Sequence, residues 1–262
     1  MSEQPNFFTD GAAYERLMGG WSALVGEVFL DWLAQPKGLR WLDVGCGNGA
    51  FTELIVAHCA PAAVQGLDPS DAQIAYARTR SGVRLTQFRR GDAQALPFTD
   101  GKFDAATMAL AISFIPEPAK AVAEMARVVR PDGWVATYMW DPDGGIHLEP
   151  LHAAMQSMSI SYPNAPSRAA SRLDSMRALW EQTGLKSIDT RVIQIPITYS
   201  DFDDFWESNT VSVGPAGQAI REMSPSAKEQ LRAHLGERLP QDREGRISYT
   251  ARANAVKGQV RG

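Results

Sequence analysis

The sequence predicts an α/β fold in which a doubly wound, Rossmann-like sheet is covered by helices on both faces. Short apolar runs of strand length alternate with segments of helical periodicity between residues 39 and 140. A glycine-rich turn at residues 45–49 joins the first run to the helical segment that follows it. Of the 262 residues, 44% are hydrophobic, which is enough for a full core without disulfides.

An N-terminal helix precedes the first strand. Apolar residues recur at steps of three and four, which predicts a helix over 14–33 that Gly19-Gly20 could interrupt. The breaker Gln-Pro-Lys-Gly at 35–38 ends this helix. The apolar run 39–44 then predicts the first strand, and the residues after the glycine turn predict a helix over 50–60.

Three further strands follow with the same alternation. The run 63–67 predicts the second strand. A helix is predicted over 70–80, where Ser70 and Gln73 stand at capping-box spacing. Residues 83–88 predict the third strand, and the continuous apolar run 103–111 predicts the fourth.

The rest of the chain is less regular. A helix is predicted over 118–129, with proline in its first turn and a stop at 130–133, and a fifth strand over 133–140. A turn cluster follows at 141–145. The remaining predicted elements are helices over 148–160, 173–183, 202–207 and 216–239 and β-type runs over 188–198 and 246–256. We therefore expect one α/β domain with a helical insertion late in the chain.

Charge and composition exclude several classes of protein. The net charge of −4 argues against a nucleic-acid partner, and no apolar stretch is long enough for a membrane span. Residues 1–6 have neither the basic nor the apolar region of a secretory signal. Cys46 and Cys59 are the only cysteines, so no disulfide framework is expected. These features predict a cytoplasmic protein with reduced thiols.

The glycine turn predicts a ligand site. Gly45, Gly47 and Gly49 would let the backbone approach a ligand closely, beside the N–H groups of a helix N-terminus. With Ala50 the turn also fits the dinucleotide pattern G-x-G-x-x-G/A, so it does not choose between cofactors. A tight strand–helix turn without any ligand is the alternative.

Three aspartates narrow the choice of cofactor. Asp68 follows the second strand at the distance where a carboxylate binds a ribose diol, although it could also serve the local turn Asp-Pro-Ser. Asp43 lies two residues before the turn and would repel a pyrophosphate, but not a ligand that carries an ammonium and a sulfonium. Asp92, at the end of the third strand, could accept from an adenine amine.

Three stretches together resemble a known family: LDVGCGNG at 42–49, LDPS at 67–70 and GDAQALPF at 91–98. They are similar to the class I S-adenosylmethionine-dependent methyltransferases, especially the small-molecule enzymes of the ubiquinone and menaquinone biosynthesis type. FDA at 103–105 and RVVRPDG at 127–133 resemble the next two family motifs. The likeness covers about residues 39–140 and is loose beyond them.

The resemblance implies a seven-stranded sheet with an antiparallel last strand and a helical insertion or lid. It also implies one domain over 1–262, with an N-terminal helical lid (1–36), a cofactor-binding core (37–145) and substrate-side helices with the last two strands (146–262). The implied cofactor is S-adenosyl-L-methionine, and its implied contacts are Asp43, Gly45, Cys46, Gly47, Gly49, Asp68, Pro69, Asp92, Ala93, Met108 and Ala109. Asp43 would support the turn or the cofactor's amino group.

No motif identifies a catalytic residue. Methyl transfer is an in-line displacement that positioning and water exclusion can accelerate, so a base need not be present. The candidates are His147 and His152 after the fifth strand, with Glu149 beside them, and Tyr14 on the N-terminal helix. Ser113-Phe114 stands where the family often has two histidines.

We expect the protein to transfer a methyl group to a small organic acceptor at oxygen, carbon or nitrogen. An NAD(P)-dependent oxidoreductase and a non-catalytic module with the same fold are the alternatives. The pair Asp141 and Asp143 is more typical of a turn than of a metal site, so no metal is expected. The acceptor and the oligomeric state stay open.

Overall fold

The structure is a computed structural model that describes residues 11–84, 86–212 and 214–262. Helix α1 (Gly11–Leu33) is continuous through Gly19-Gly20, where the sequence suggested an interruption, and its side chains are described from Trp21 onward. Val25, Phe29 and Leu33 are buried. The Phe29 ring lies 4.8 Å from that of Tyr138 and 6.0 Å from that of Phe51. The second half of α1 therefore belongs to the core, while the lid role of residues 1–36 stays a prediction.

Seven strands form one sheet in the order β3-β2-β1-β4-β5-β7-β6. The five strands before β6 pair in parallel, and β7 is antiparallel to both of its neighbours. This confirms the predicted α/β fold and its antiparallel last strand. The strands are β1 (Arg40–Val44), β2 (Ala63–Asp68), β3 (Thr86–Arg90), β4 (Phe103–Ala109), β5 (Val129–Trp140), β6 (Lys186–Tyr199) and β7 (Ile247–Gln259).

The strand order reverses between β1 and β4. The chain builds outward from β1 to β3, then returns to the other side of β1 to place β4 and β5. In open α/β sheets, such a reversal leaves a crevice outside the carboxyl ends of the two strands, where ligands bind. The glycine turn follows β1 directly and therefore lies at this crevice.

The helices surround the sheet, and two short 3-10 turns, Ile112–Phe114 and Arg168–Ser171, follow β4 and α5. Among the described residues, no helix combines the length and apolarity needed to cross a lipid bilayer. After α1 the helices are α2 (Ala50–Cys59), α3 (Asp71–Ala77), α4 (Pro118–Val128), α5 (Glu149–Ser157), α6 (Leu173–Gln182), α7 (Phe202–Asn209), α8 (Gly214–Glu222) and α9 (Pro225–Gly236).

Three predicted elements need correction. The third strand begins at Thr86, because Val83 precedes it in a turn and packs with Cys46 and Phe88 in a small apolar cluster. The helix predicted over 216–239 is two helices, since Ser224 caps α9 and the following proline begins it. The fifth strand starts at Val129, and the predicted helix stop at 130–133 lies inside it, beside a register shift against β4.

Asp104 on β4 ties the amino ends of three strands together. Its carboxylate accepts from Arg40 Nε on β1 at 3.0 Å and from Arg130 Nε on β5 at 2.7 Å. The two guanidinium groups, Arg40 first, hold the pKa of Asp104 well below its usual range. Because the folded-state pKa is lowered, this stabilisation is present above about pH 4 and is lost as the pH falls further.

Asp104→Asn is expected to lower the free energy of unfolding by about 1–2 kcal/mol at pH 7, a small value because both arginines are half exposed. Urea denaturation at pH 7 and pH 3 measures this loss, which should shrink at the lower pH. Asp100→Asn is the control, because Asp100 is 80% exposed in its pair with Arg127. Equal losses in both variants would refute the special role of Asp104.

Candidate functional site

The glycine turn is built from backbone conformations that favour glycine. Gly45, Gly47 and Gly49 have φ angles of 70°, 51° and 81°. A Cβ on Gly45 would lie 2.6 Å from Ala111 Cβ, so glycine is also required there by close approach. A Cβ on Gly47 would meet no atom within 4 Å. The turn is therefore packed at its start and open at its middle.

Most N–H groups of the turn have partners inside the protein. Gly45 N and Cys46 N donate to Leu67 O, Gly47 N to Asp68 Oδ2, Gly49 N to Cys46 O, and Ala50 N to Asn48 Oδ1, at 2.7–3.2 Å. Dinucleotide-binding turns hold a pyrophosphate with free N–H groups at the helix N-terminus. The five N–H groups are engaged within the protein, and of them only Ala50 N belongs to the helix N-terminus.

Two buried carboxylates lie beside the turn. Asp43 is fully buried; its Oδ2 accepts from Thr52 Oγ1 at 2.6 Å, and its Oδ1 has no hydrogen-bond partner. Burial raises the pKa of Asp43 to about 7, and the charge of Asp68 adds to this. Asp68 accepts from Gly47 N at 3.0 Å and from Ser70 N at 2.9 Å, and burial raises its pKa despite these bonds. The site therefore holds two carboxylates whose ionisation is costly in the free protein.

Asp92 differs from these two carboxylates. It is exposed after β3 and accepts from Gln94 N at 2.9 Å, so its contacts are local. Ala93 beside it is buried. At the end of β4, Met108 is fully buried and Ala109 half-buried. The Met108 side chain thus belongs to the core, and its carbonyl accepts from Thr137 Oγ1.

The remaining residues predicted to contact the cofactor follow β1 and β2 at the same edge of the sheet. Cys46 is buried with Ile74 and Phe88, and burial raises the pKa of its thiol. The thiol is therefore a packing group rather than a nucleophile. Pro69 is exposed between Asp68 and Ser70. The structure brings Asp43, Cys46, Asp68 and the glycines together, while Asp92 contacts none of them.

The two candidate histidines occupy different surroundings. His147 is 1% exposed, its ring centroid is 5.2 Å from that of Trp140, and neither ring nitrogen has a hydrogen-bond partner in the part of the chain that the structure describes. Burial lowers its pKa to about 3. The His152 ring lies 5.1 Å from that of Tyr162, and burial lowers its pKa to about 4. Both rings are therefore neutral at pH 7.

The structure describes the remaining candidates for catalysis or metal binding to different extents. The Tyr14 side chain lies outside the described part of α1. Glu149 is the first residue of α5. Asp141 and Asp143 pair with Arg252 and Arg172, respectively. Over the described ranges, no three potential metal ligands cluster.

Sequence reasoning missed an aromatic group beside His147. Tyr199 lies within 6.2 Å of Tyr249, 5.6 Å of Trp21 and 5.1 Å of Phe205 between ring centroids. The Tyr249 hydroxyl donates to the His147 backbone carbonyl. The alternation of apolar residues along β6 is the sequence feature that could have placed Tyr199 on the buried face of the sheet.

Comparisons with known proteins agree with this geometry. Residues 42–137 match the family described as Methyltransferase domain. The chain is 31% identical over 173 residues to a demethylmenaquinone methyltransferase from Renibacterium salmoninarum, covering 63% of this chain and 68% of the relative. It is 37% identical over 101 residues to a fatty-acid O-methyltransferase from Mycolicibacterium smegmatis, covering 38% of this chain and 37% of the relative.

One solved structure extends the likeness to nearly the whole fold. Phosphoethanolamine N-methyltransferase 2 from Haemonchus contortus, solved with S-adenosyl-L-methionine, has a TM-score of 0.60 at 17% identity. The match covers 96% of this chain and 57% of that protein. The chain thus spans little more than a third of the fatty-acid enzyme and about two thirds of the demethylmenaquinone enzyme.

Proposed function

The chain belongs to the class I S-adenosylmethionine-dependent methyltransferases, and on this premise we propose that it methylates a small organic acceptor at the carboxyl edge of β4 and β5. S-adenosyl-L-methionine is its cofactor and supplies a methyl group on a positively charged sulfonium. The relatives act, by their names, on a fatty acid and on demethylmenaquinone, which are both small molecules. The single observation that carries the proposal is the buried carboxylate pair beside a turn whose N–H groups are engaged.

The residues present fit this cofactor. Asp43 Oδ1 is buried without a partner, so a cationic ligand at the site would relieve both the unpaired atom and the cost of its charge. Asp68 uses two of about four acceptor positions on N–H groups, which leaves positions for a diol. The space over Gly47 is open to a ligand.

Each residue would then have a distinct role. Asp43 would support the cationic methionine end, Asp68 the ribose, and Asp92 with the Ala93 amide the adenine. The backbone of Gly45, Cys46, Gly47 and Gly49 would lie under the cofactor, with Pro69, Met108 and Ala109 along its sides. These residues hold the cofactor still, and a fixed, water-free approach of the acceptor accelerates an in-line displacement.

Thermal unfolding with S-adenosylhomocysteine, and separately with NAD, tests the proposal. At about 100 times its dissociation constant a ligand adds roughly 2.7 kcal/mol of stability, which raises the midpoint by several degrees. We expect the shift with S-adenosylhomocysteine alone. A shift with NAD alone would instead favour an oxidoreductase, and no shift with either would favour a non-catalytic module.

Asp92→Ala is expected to weaken binding of S-adenosylhomocysteine by about 5- to 150-fold, since a lost hydrogen-bonding partner costs about 1–3 kcal/mol. The free protein should unfold at nearly the same temperature, because Asp92 is exposed. Isothermal titration calorimetry measures the affinity, with the exposed Asp100→Ala as control. Unchanged affinity in the Asp92 variant would remove the adenine contact but leave the cofactor in place.

A further inference from the structure

At the carboxyl end of β5 and in the segments that follow β4 and β5, four buried polar atoms have no hydrogen-bond partner among the described residues. They are Nδ1 and Nε2 of His147, Nε1 of Trp140 and Oγ of Ser113. Nearly all buried polar groups of folded proteins are paired, so such a group needs an explanation. Each of these three side chains is at least 96% buried, which excludes simple contact with bulk water. His147 and Trp140 are in ring contact, and a bound molecule that donates and accepts hydrogen bonds could pair with both.

The three residues lie on segments that follow neighbouring strands. Ser113 is in the 3-10 turn after β4, Trp140 is the last residue of β5, and His147 is in the loop that follows β5. Ser167 N donates to Ser113 O at 2.9 Å, which holds the turn after β4 against the loop before Arg168–Ser171. Tyr249 donates to the His147 carbonyl, so it fixes the backbone and leaves the ring free.

The charged side chains near this site either form ion pairs or are exposed to solvent. Asp141 and Asp143 pair with Arg252 and Arg172. Arg168 is exposed and donates to Pro142 O. Its positive charge contributes to the lowered pKa of His152 but not to that of His147. Glu149 and Arg168 are exposed and form no ion pair among the described residues, whereas the His147 ring is buried, so a charged ligand group at this ring would lose its hydration without a partner of opposite charge beside it.

The donor and acceptor types point to one chemical group. A neutral imidazole offers one N–H donor and one lone pair, and the Trp140 indole offers a donor only. A hydroxyl group can donate to the imidazole lone pair while it accepts from the indole. Burial lowers the pKa of His147 to about 3, so the ring keeps its lone pair at neutral pH.

We propose that His147 and Trp140 form a hydrogen-bonding subsite for an uncharged hydroxyl group of the methyl acceptor. This assignment rests on the proposed function, because it places the acceptor at the edge of the sheet that carries the glycine turn. It specifies an uncharged, hydroxyl-bearing acceptor and disfavours carboxylates and amines. His147 contacts and orients the acceptor, and the atom that receives the methyl group need not be this oxygen.

Nitrogen-15 NMR of the imidazole rings tests the subsite directly. The chain has four histidines, so histidine labelling gives a simple spectrum, which His147→Phe assigns. Protein saturated with S-adenosylhomocysteine is titrated with phenol, toluene, benzoate or benzylammonium, which have similar size. We expect phenol alone to shift the His147 resonances and to bind about tenfold more tightly than toluene.

His147→Phe should abolish the preference for phenol over toluene. His152→Phe is the control, and it should keep both this preference and the shift of the His147 resonances that phenol causes. Equal binding of phenol and toluene, no response to phenol, or a preference that survives His147→Phe would overturn the subsite. The comparison of phenol with toluene in the unmodified protein holds even if His147→Phe does not fold. Retained binding of S-adenosylhomocysteine would show that the proposed function survives the failure of the subsite.

Discussion

Asp43→Asn is expected to stabilise the free protein at pH 8 by about 2–4 kcal/mol and to weaken binding of the cofactor at least tenfold. Burial raises the folded-state pKa of Asp43 to about 7, roughly three units above the usual value for aspartate. Each unit corresponds to about 1.4 kcal/mol, so the ionised carboxylate costs the free protein up to about 4 kcal/mol. Asparagine removes that cost and can still accept from Thr52.

The pH dependence has a definite sign. Because the folded-state pKa is raised, the cost of Asp43 is complete above about pH 7, shrinks as the pH falls, and vanishes below about pH 4. Urea denaturation of both proteins at pH 8, 6 and 4 should show the gain of the variant shrinking in that order. Asp71→Asn is the control, because its carboxylate is 74% exposed.

A measurement of cofactor affinity separates the effect of the Asp43 carboxylate on stability from its effect on the cofactor. A sulfonium and an ammonium are attracted by ionised Asp43, so the variant should lose affinity for S-adenosylmethionine, as measured by calorimetry at pH 8. No stabilisation at pH 8 would show that Asp43 is not held as a buried charge. Stabilisation with unchanged affinity would show that Asp43 does not act on the cofactor.

Gly45→Ala and Gly47→Ala are expected to fail in different ways. Alanine at Gly45 combines left-handed strain of about 1–2 kcal/mol with a 2.6 Å approach to Ala111, which adds about 1–3 kcal/mol. Alanine at Gly47 carries the strain without a clash, and its methyl group points into open space. We therefore expect a loss of stability of about 2–5 kcal/mol for Gly45→Ala and a loss of cofactor affinity of at least tenfold for Gly47→Ala.

Denaturation and calorimetry on both variants measure these outcomes. Ala111→Gly removes the atom that Gly45→Ala would strike, so the double variant should regain the clash part of the lost stability in a double-mutant cycle. No recovery would mean that strain alone accounts for the loss. A Gly47→Ala protein that binds the cofactor normally would show that the open space is not the cofactor site.

The fold was largely predictable because its determinants are local. Apolar runs and the glycine turn predicted the parallel strands, and the resemblance predicted the antiparallel β7. Ser224-Pro225, which divides α8 from α9, was visible in the sequence but overlooked, whereas the apolar Val83 suggested a strand although it packs in a turn. These errors arise where tertiary packing or a cap overrides the apolar pattern.

The site was less accessible to sequence reasoning. Asp43, Asp68 and the glycines were selected from their spacing, and the structure gathers them, but their contacts with the cofactor stay predictions. That both nitrogens of His147 are buried without partners depends on Trp140, on Tyr249 and on the loop between β5 and α5. Such a property belongs to long-range packing, and no local pattern of residues encodes it.

The order of the strands also bears on how the protein can diverge. The two strands that follow Trp140, β7 and β6, lie beyond β5, on the side of the sheet away from β1, β2 and β3. Substitutions and insertions there leave the glycine turn and the carboxylate pair untouched, so this half can change without loss of the methyl donor. That division agrees with a family match that ends at residue 137 and with relatives whose names specify chemically different acceptors. We therefore predict that the first half of the chain retains the methyl donor, while changes in the second half alter which acceptor is bound.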